Sequence, residues 1–360
     1  MNSPATKNIL VIGLLLFGAY GGASTARAKE MDSFTDRLIL IERLQDGTSP
    51  LDAHINEKLA RAARALTAKK ARTTDERNAI LSRYFLHPIL PDLLCQIEQW
   101  ILAKAKVPRY ELDGRGIYGG EIGYDDMLMA WYVGLAPILR IHGVLIGLDK
   151  VGHFFGQGWQ YYEEELRLLA RTPPLSEASR WEQLKIRGSS FEKAHLGFTN
   201  DGVYSVADMA ANWQGFRFFR GLFAERDPYL RYDAASGQYS TGRNFTFRDY
   251  VTDSWDEVLN PTLARSLSLL EKIGKNMRTP EKQGGTGVCE AYERDPKKFL
   301  HAVLAEEPAS EYLPKDDLGA RRSELAIDVR ALCDRKAAAT TAPRNVDEAF
   351  DAARAFPRPD

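Results

Sequence analysis

The sequence predicts a mainly α-helical protein with a small β-hairpin insertion and a C-terminal extension. Two observations carry that expectation. Apolar residues recur at spacings of three and four through Ser33 to Leu44, Leu51 to Lys70 and Thr74 to Tyr84. That periodicity changes once, between Tyr229 and Tyr250, where alternation surrounds a small turn sequence. Composition agrees with a packed chain: 44% of the 360 residues are hydrophobic and 27% charged, which excludes a disordered protein. The net charge of −1 gives no electrostatic footprint for nucleic acid.

The chain opens as an export signal. Lys7 precedes an apolar run from Ile9 to Tyr20, small residues follow, and Ala26-Arg27-Ala28 has the form of a cleavage site. The run is shorter than the roughly 20 residues that span a bilayer. Residues 1–28 are therefore expected to be a signal peptide. Its removal takes 28 of the 360 residues, leaving 332, and takes Lys7 and Arg27 but no acid, moving the net charge from −1 to −3. The mature protein is expected to be periplasmic or secreted and not to span a membrane. In an oxidising compartment Cys289 and Cys333 are the expected disulfide, while Cys95, within Leu93-Leu94-Cys95-Gln96-Ile97, reads as a buried thiol.

Residues 29–278 are expected to form the helical domain. Thr73-Thr74-Asp75-Glu76 has the pattern of a capping box, and Pro91 opens a helix over Leu93 to Ala105. The stretch from Pro108 to Tyr124 reads as an ordered glycine- and tyrosine-rich loop. Gly114, Gly116 and Gly119 spell a dinucleotide-like pattern, but no strand leads in and no helix opens on it. Met127 to Leu148 is very apolar yet holds Pro137, Arg140 and His142, so it reads as a buried helix pair. Helices are expected from Asp149 to Ala170 and from Ser205 to Phe223. After the hairpin, Thr252 to Met277 is expected to return to helix. Residues 279–335 form the disulfide-stapled extension and 336–360, rich in Ala, Thr and Pro, a loosely held tail.

Three clusters of polar residues need a reason. Asp149 and His153 are four apart and share a helical face, so the carboxylate could orient the imidazole or both could hold one ion. Glu164 lies on nearly the same stripe, but about 16 Å further along a straight helix. It cannot share a metal with His153, and Glu163 to Glu165 mostly read as a solvated face. Asp208 and Asn212 share a face of the next helix, where Ser205 and Asp208 also resemble a cap. Gly152, Gly156, Ala211 and Gly215 give each helix a small-residue surface, so the two could cross closely and bring Asp149, His153, Asp208 and Asn212 into one pocket. In the third cluster, Asp256 and Glu257 either join that pocket or cap a helix.

The first two clusters resemble the D-[KR]-x-G-H-F segment, and the later D-x-x-x-N-x-x-G or D-M segment, of small bacterial membrane proteins. The VanZ-like family linked to glycopeptide resistance is among them. Asp149-Lys150-Val151-Gly152-His153-Phe154 matches the first motif; Asp208, Met209, Asn212 and Gly215 match the second. The resemblance runs only from Asp149 to Gly215. It implies a paired-helix arrangement and assigns no reaction. Those relatives lie in the membrane, whereas here Arg167, Arg171, Lys185 and Arg187 separate the motifs.

Two functions follow. In the first, an exported metal-assisted or acid/base hydrolase acts on a cell-envelope substrate (peptidoglycan, glycan or lipid). One divalent metal ion would sit among His153, Asp149, Asp208, Asn212 and Asp256. Catalytic roles would fall to His153, Asp149, Asp208, Glu164 and Glu257, with two of Glu164, Asp208 and Glu257 as the carboxylate pair if the enzyme is a glycosidase. In the second, the polar residues form a buried Asp/His/Asn network in a non-catalytic envelope protein. Trp159, Tyr161, Tyr162, Trp213 and Phe216 would line a groove in the first case and fill the core in the second. No G-x-S-x-G element and no P-loop is present.

Overall fold

A computed structural model describes residues 30–87, 95–103, 107–127, 134–319 and 323–334, with backbone only at 195, 196 and 200. The expected signal peptide (1–28) and tail (336–360) lie outside the described residues.

The chain is mainly helical, as its periodicity predicts. Helix α1 (Arg37–Arg43) leads into α2 (Thr48–Ala68), which buries Leu51, Ile55, Leu59, Ala62 and Leu66 along one face. Helix α3 (Thr74–Phe85) starts on the expected capping box: Thr73 Oγ1 accepts from the Glu76 N–H, and the Glu76 carboxylate accepts from the Thr73 N–H. Helix α4 (Gln96–Ala103) buries Ile97, Glu98 and Ile101. The glycine-rich stretch after it is a loop with one 3₁₀ turn, Gly116–Tyr118, closed over Asp32; a Cβ on Gly116 would lie 1.8 Å from Asp32 Oδ2.

The expected helix pair in Met127 to Leu148 is instead a β-hairpin through its described part. Strands β1 (Ile138–Ile141) and β2 (Val144–Gly147) pair antiparallel, with Ile141 opposite Val144. The two-residue turn explains the difference. His142 and Gly143 have φ of 50° and 84°, the double left-handed conformation that suits a tight hairpin and breaks a helix. The β-branched residues Ile138, Ile141, Val144 and Ile146 then favour strand over helix.

Next comes one continuous helical rod: α5 (Leu148–Gly152), a π-helical turn (His153–Gln157) and α6 (Gly158–Leu169). Within the turn, the Gly158 N–H donates to the His153 carbonyl, five residues back. Helix α7 (Glu177–Phe191) runs on into a second π-helical stretch, Glu192–Asp201, which stops at Gly202 with φ 70°. Strand β3 (Val203–Tyr204) leads to α8 (Val206–Gly221), buried along most of its length and capped by Ser205, whose Oγ accepts from the Asp208 N–H.

Helix α6, the π turn before it and α8 form the centre of the fold. They meet backbone to backbone. A Cβ on Gly158 would lie 2.6 Å from Gly215 Cα, and one on Gly215 would lie 1.8 Å from the Phe154 carbonyl oxygen. The small-residue contact expected from sequence therefore forms, with Gly158 rather than Gly152 opposite Gly215. Around it pack Phe154, Phe155, Phe218, Phe219, Phe245, Phe247, Tyr250 and Trp255. Trp159, Tyr161, Trp213 and Phe216 are buried in the same core and Tyr162 packs against it, so they line no groove.

The second hairpin falls where alternation predicts it. Strands β4 (Leu230–Asp233) and β5 (Gln238–Thr241) pair with Tyr232 opposite Tyr239, and Gly237 takes φ 71° in the turn. The expected helix from Thr252 is broken in its first half. Asp253 accepts from the Val303 and Leu304 N–H groups, and Asp256 accepts from the Val258 N–H. These side chain–backbone bonds compete with a helical ladder. Only after β6 (Leu263–Ala264), paired with β3, does helix α9 (Leu267–Arg278) begin.

A second apolar cluster joins α9, Phe34, Ile117, Tyr118 and the C-terminal segments. There Cys289, on α10 (Val288–Arg294), is bonded to Cys333, on the last described helix, Val329–Cys333. The pairing expected from sequence is present, and Cys95 is a buried free thiol. Among the described residues, no helix is long and apolar enough to cross a membrane.

Candidate functional site

Three segments deliver the site. The rod from Leu148 contributes Asp149, Lys150 and His153, α8 contributes Asp208 and Asn212, and the loop before β6 contributes Glu257. The close Gly158–Gly215 crossing brings the first two segments near enough for direct bonding. Sequence spacing alone pairs Asp149, His153, Asp208 and Asn212, and the structure places all four together.

Lys150 is at the centre. Its ammonium lies 2.6 Å from Asp149 Oδ2, 2.6 Å from Asp208 Oδ1 and 2.7 Å from Glu257 Oε1, with no solvent exposure. The contacts to Asp149 and Glu257 are hydrogen bonds, and that to Asp208 is an ion pair. Glu257 Oε1 also accepts from the Ser205 hydroxyl at 3.0 Å. Burial opposes the charge on Lys150, but these carboxylates together with Glu30 overcome it and hold its pKa well above the ordinary value.

His153 is bracketed on both ring nitrogens. Nδ1 lies 3.0 Å from Asn212 Oδ1 and Nε2 lies 3.1 Å from Asp208 Oδ2. With a proton on Nδ1 donated to Asn212, Nε2 faces the acids. Asp149 was expected to orient this ring; its Oδ2 is held by Lys150, and Asn212 does the orienting. Burial lowers the affinity of His153 for a proton, but Asp208 outweighs it and brings the pKa to about 9. Asp208 bridges both cationic groups, one oxygen to each. Burial alone would raise its carboxyl; His153 and Lys150 hold it well below the usual range.

Two carboxylates complete the site that the spacing arguments did not reach. Glu192 begins the second π-helical stretch and is 2% exposed. It accepts from the Ser205 backbone N–H, while its Oε2 has no hydrogen-bond partner among the described residues. Glu98, on α4, occupies the space left by the missing side chain of Gly152, where a Cβ would lie 2.5 Å from its carboxyl carbon. Burial raises both to about 8, with Asp208 adding to the rise at Glu192. Glu257 is pushed up to about 7 by burial against the pull of Lys150. A sequence signal existed for both missed acids. Glu98 falls on the stripe of Cys95 and Ile101, and Glu192 falls four residues after Gly188 and eight after Leu184, all buried. An acid on an apolar stripe marks a buried charge.

The other two candidates lie elsewhere. Glu164 is held by Arg167 at 2.8 Å and Arg187 at 2.7 Å in a partly exposed ion pair on α6. Asp256 takes both terminal nitrogens of Arg37, at 3.1 and 2.6 Å, so its neighbour Glu257 alone points into the site. Adjacent residues in an extended turn face opposite ways, which is why only one of the pair could arrive. Cys95 is fully buried and its thiol is raised well above the ordinary value, so it is no thiolate nucleophile.

Two ligand sets for a cation result. His153, Glu192 and Asp208 offer one nitrogen and two oxygens, all mutually within 4.8 Å; Asp149, Asp208 and Glu257 offer three oxygens. The 3.1 Å between His153 Nε2 and Asp208 Oδ2 matches the roughly 3.0–3.4 Å expected between two ligands each about 2.1 Å from one ion. Asn212 and Asp256 belong to neither set.

These buried groups set a pH dependence. Glu98 and Glu192 near 8, and Glu257 near 7, carry protons in the folded state that the unfolded chain has lost above about 4.5. Raising the pH from 5 to 8 therefore costs the folded state more. His153 acts in the same direction: its contribution is complete below about 6.5 and is lost as the pH rises through about 9. Asp208 acts oppositely, its contribution being lost only on strong acidification. The metal-free protein is expected to be more resistant to urea at pH 5.5 than at pH 8.5. The slope should be about 1.4 kcal/mol per pH unit for each proton held. A urea midpoint that rises with pH over this range would contradict the assignment.

Comparison with known proteins returns nothing: no protein-family model, curated protein or solved structure matches this chain.

Proposed function

We propose that this is an exported cell-envelope protein built around an interior divalent-cation site formed by His153, Glu192 and Asp208. The activity that such a site would serve is metal-assisted hydrolysis of an envelope component: peptidoglycan, glycan or lipid. One observation carries the reading. A buried imidazole nitrogen and two buried carboxylates converge, and one of those carboxylates, Glu192, keeps an oxygen without a partner among the described residues. A buried carboxyl oxygen without a partner is costly; in the metal-free protein Glu192 meets that cost by keeping its proton to about 8, and a bound cation would take that proton's place. The donor set of one nitrogen and two oxygens suits zinc or manganese. Bound there, the ion would supply an acidified water; Asn212 would fix the imidazole tautomer that leaves Nε2 free. Glu257, near 7, is the carboxyl whose proton exchanges most readily at neutral pH, which suits the acid/base version. The disulfide and the signal-like first 28 residues support export, and the motif resemblance supports an envelope setting.

A second reading, a non-catalytic structural or binding protein with a buried network, is favoured by closure. His153, the most open of these residues, is 5% exposed. Metal content of the purified mature protein, with its thermal stability before and after chelation, tests the site. One ion per chain is expected, with about 2.7 kcal/mol of added stability at a free-ion concentration a hundredfold above Kd. Glu192→Gln and His153→Ala should lose both effects. Metal-dependent release of soluble fragments from peptidoglycan or glycan then separates the hydrolase from the network. A protein that binds no ion and whose stability ignores chelation leaves only the network.

A further inference from the structure

The two ligand sets share one residue. Asp208 gives Oδ2 to the side of His153 and Oδ1 to the side of Lys150, so a carboxylate bridges two adjacent cation positions. One position is already filled. The Lys150 ammonium sits 2.6–2.7 Å from an oxygen of each member of the Asp149, Asp208, Glu257 set, the very set that could otherwise hold an ion. The other position, among His153, Glu192 and Asp208, holds no ammonium; there His153 Nε2 pairs directly with Asp208 Oδ2 at 3.1 Å, and Glu192 Oε2 is left over. Beyond Lys150, Asp149 Oδ1 and Glu257 Oε2 also lack hydrogen-bond partners among the described residues, so this corner has acceptor oxygens to spare.

We infer that the interior is a two-cation site bridged by Asp208, in which the Lys150 ammonium permanently holds one position and a single divalent metal ion takes the other. This rests on the cation reading above and extends it. Lys150 becomes the group that fixes the stoichiometry at one. Removing its charge while keeping its length, as in Lys150→Met, leaves buried Asp149 and Glu257 without their contacting cation and Asp208 with His153 alone, and opens a second oxygen-rich metal position. Asp149 in turn serves the ammonium and not the metal.

Equilibrium dialysis of the mature protein against Mn²⁺, read by elemental analysis, tests the inference. Wild type is expected to hold one Mn²⁺ per chain, Lys150→Met two, and the double variant Lys150→Met/Asp149→Asn one. Lys150→Met holding a single ion at unchanged affinity overturns the ammonium's role while leaving the His153 site intact. No ion in wild type but one in Lys150→Met overturns the His153–Glu192–Asp208 site and the shared bridge. If Lys150→Met does not fold, Asp149→Asn alone decides the partition. It should keep one Mn²⁺ with nearly wild-type affinity, whereas Glu192→Gln should weaken binding by at least about tenfold. Loss of Mn²⁺ from Asp149→Asn, as from Glu192→Gln, overturns the assignment.

Discussion

Asp208→Asn is expected to destabilise the fold by about 3–5 kcal/mol and to abolish metal binding together. The substitution keeps the shape of the side chain but removes the charge that contacts both Lys150, at 2.6 Å, and His153, at 3.1 Å. Each cationic group is buried, so neither recovers its lost partner from water, and breaking such a pair costs about this much. Glu164→Gln is the informative comparison. Glu164 also contacts two cationic side chains, Arg167 and Arg187, but both of those are more than half exposed. Its loss should cost no more than about 1 kcal/mol. Urea denaturation of the two variants beside wild type measures the contrast. Equal effects would mean that burial does not set the strength of the Asp208 cluster.

Gly215→Ala is expected to be as damaging, through packing alone. Its Cβ would be placed 1.8 Å from the Phe154 carbonyl oxygen, a backbone atom inside the π turn, which no side-chain rotation can relieve. The helices would have to separate at their closest point, directly beside His153 and Asn212. Overpacking of this kind costs about 3 kcal/mol or more. Gly123→Ala is the control, because nothing lies within 4 Å of its added carbon and its φ is not left-handed. It should shift stability by no more than about 0.5 kcal/mol. Thermal unfolding of the two variants checks the prediction, and a Gly215→Ala protein that melts with wild type would show that the crossing is looser than described. A widened crossing should also weaken metal binding, since His153 and Asp208 lie on opposite sides of it.

Much of this was written locally in the chain. The long helices follow from apolar residues at spacings of three and four, and the Thr73–Glu76 and Ser205–Asp208 starts follow from side chains that satisfy nearby backbone donors. The hairpin at Tyr229 to Tyr250 follows from alternation around a turn. Asp149, His153, Asp208 and Asn212 could be grouped because helical geometry is regular and small residues mark where helices approach.

Other features lay outside helical periodicity, and most of them depended on partners distant in sequence. The hairpin at Ile138 to Gly147 hides behind hydrophobicity that suits strand and helix alike, and its two left-handed residues decide the matter. The break after Thr252 depends on Asp253 finding backbone N–H groups at Val303 and Leu304. Which of Asp256 and Glu257 enters the site depends on Arg37, more than two hundred residues earlier, claiming the first. Lys150 looks in sequence like an ordinary charge beside Asp149. Its centrality appears only when Asp208 and Glu257 close around it. Glu192 and Glu98 join for the same reason. Local spacing fixes which side chains share a face, because a helix repeats. The charges that face them across the core are set by packing between segments, and there burial turns an ordinary ion pair into the feature that governs stability and chemistry.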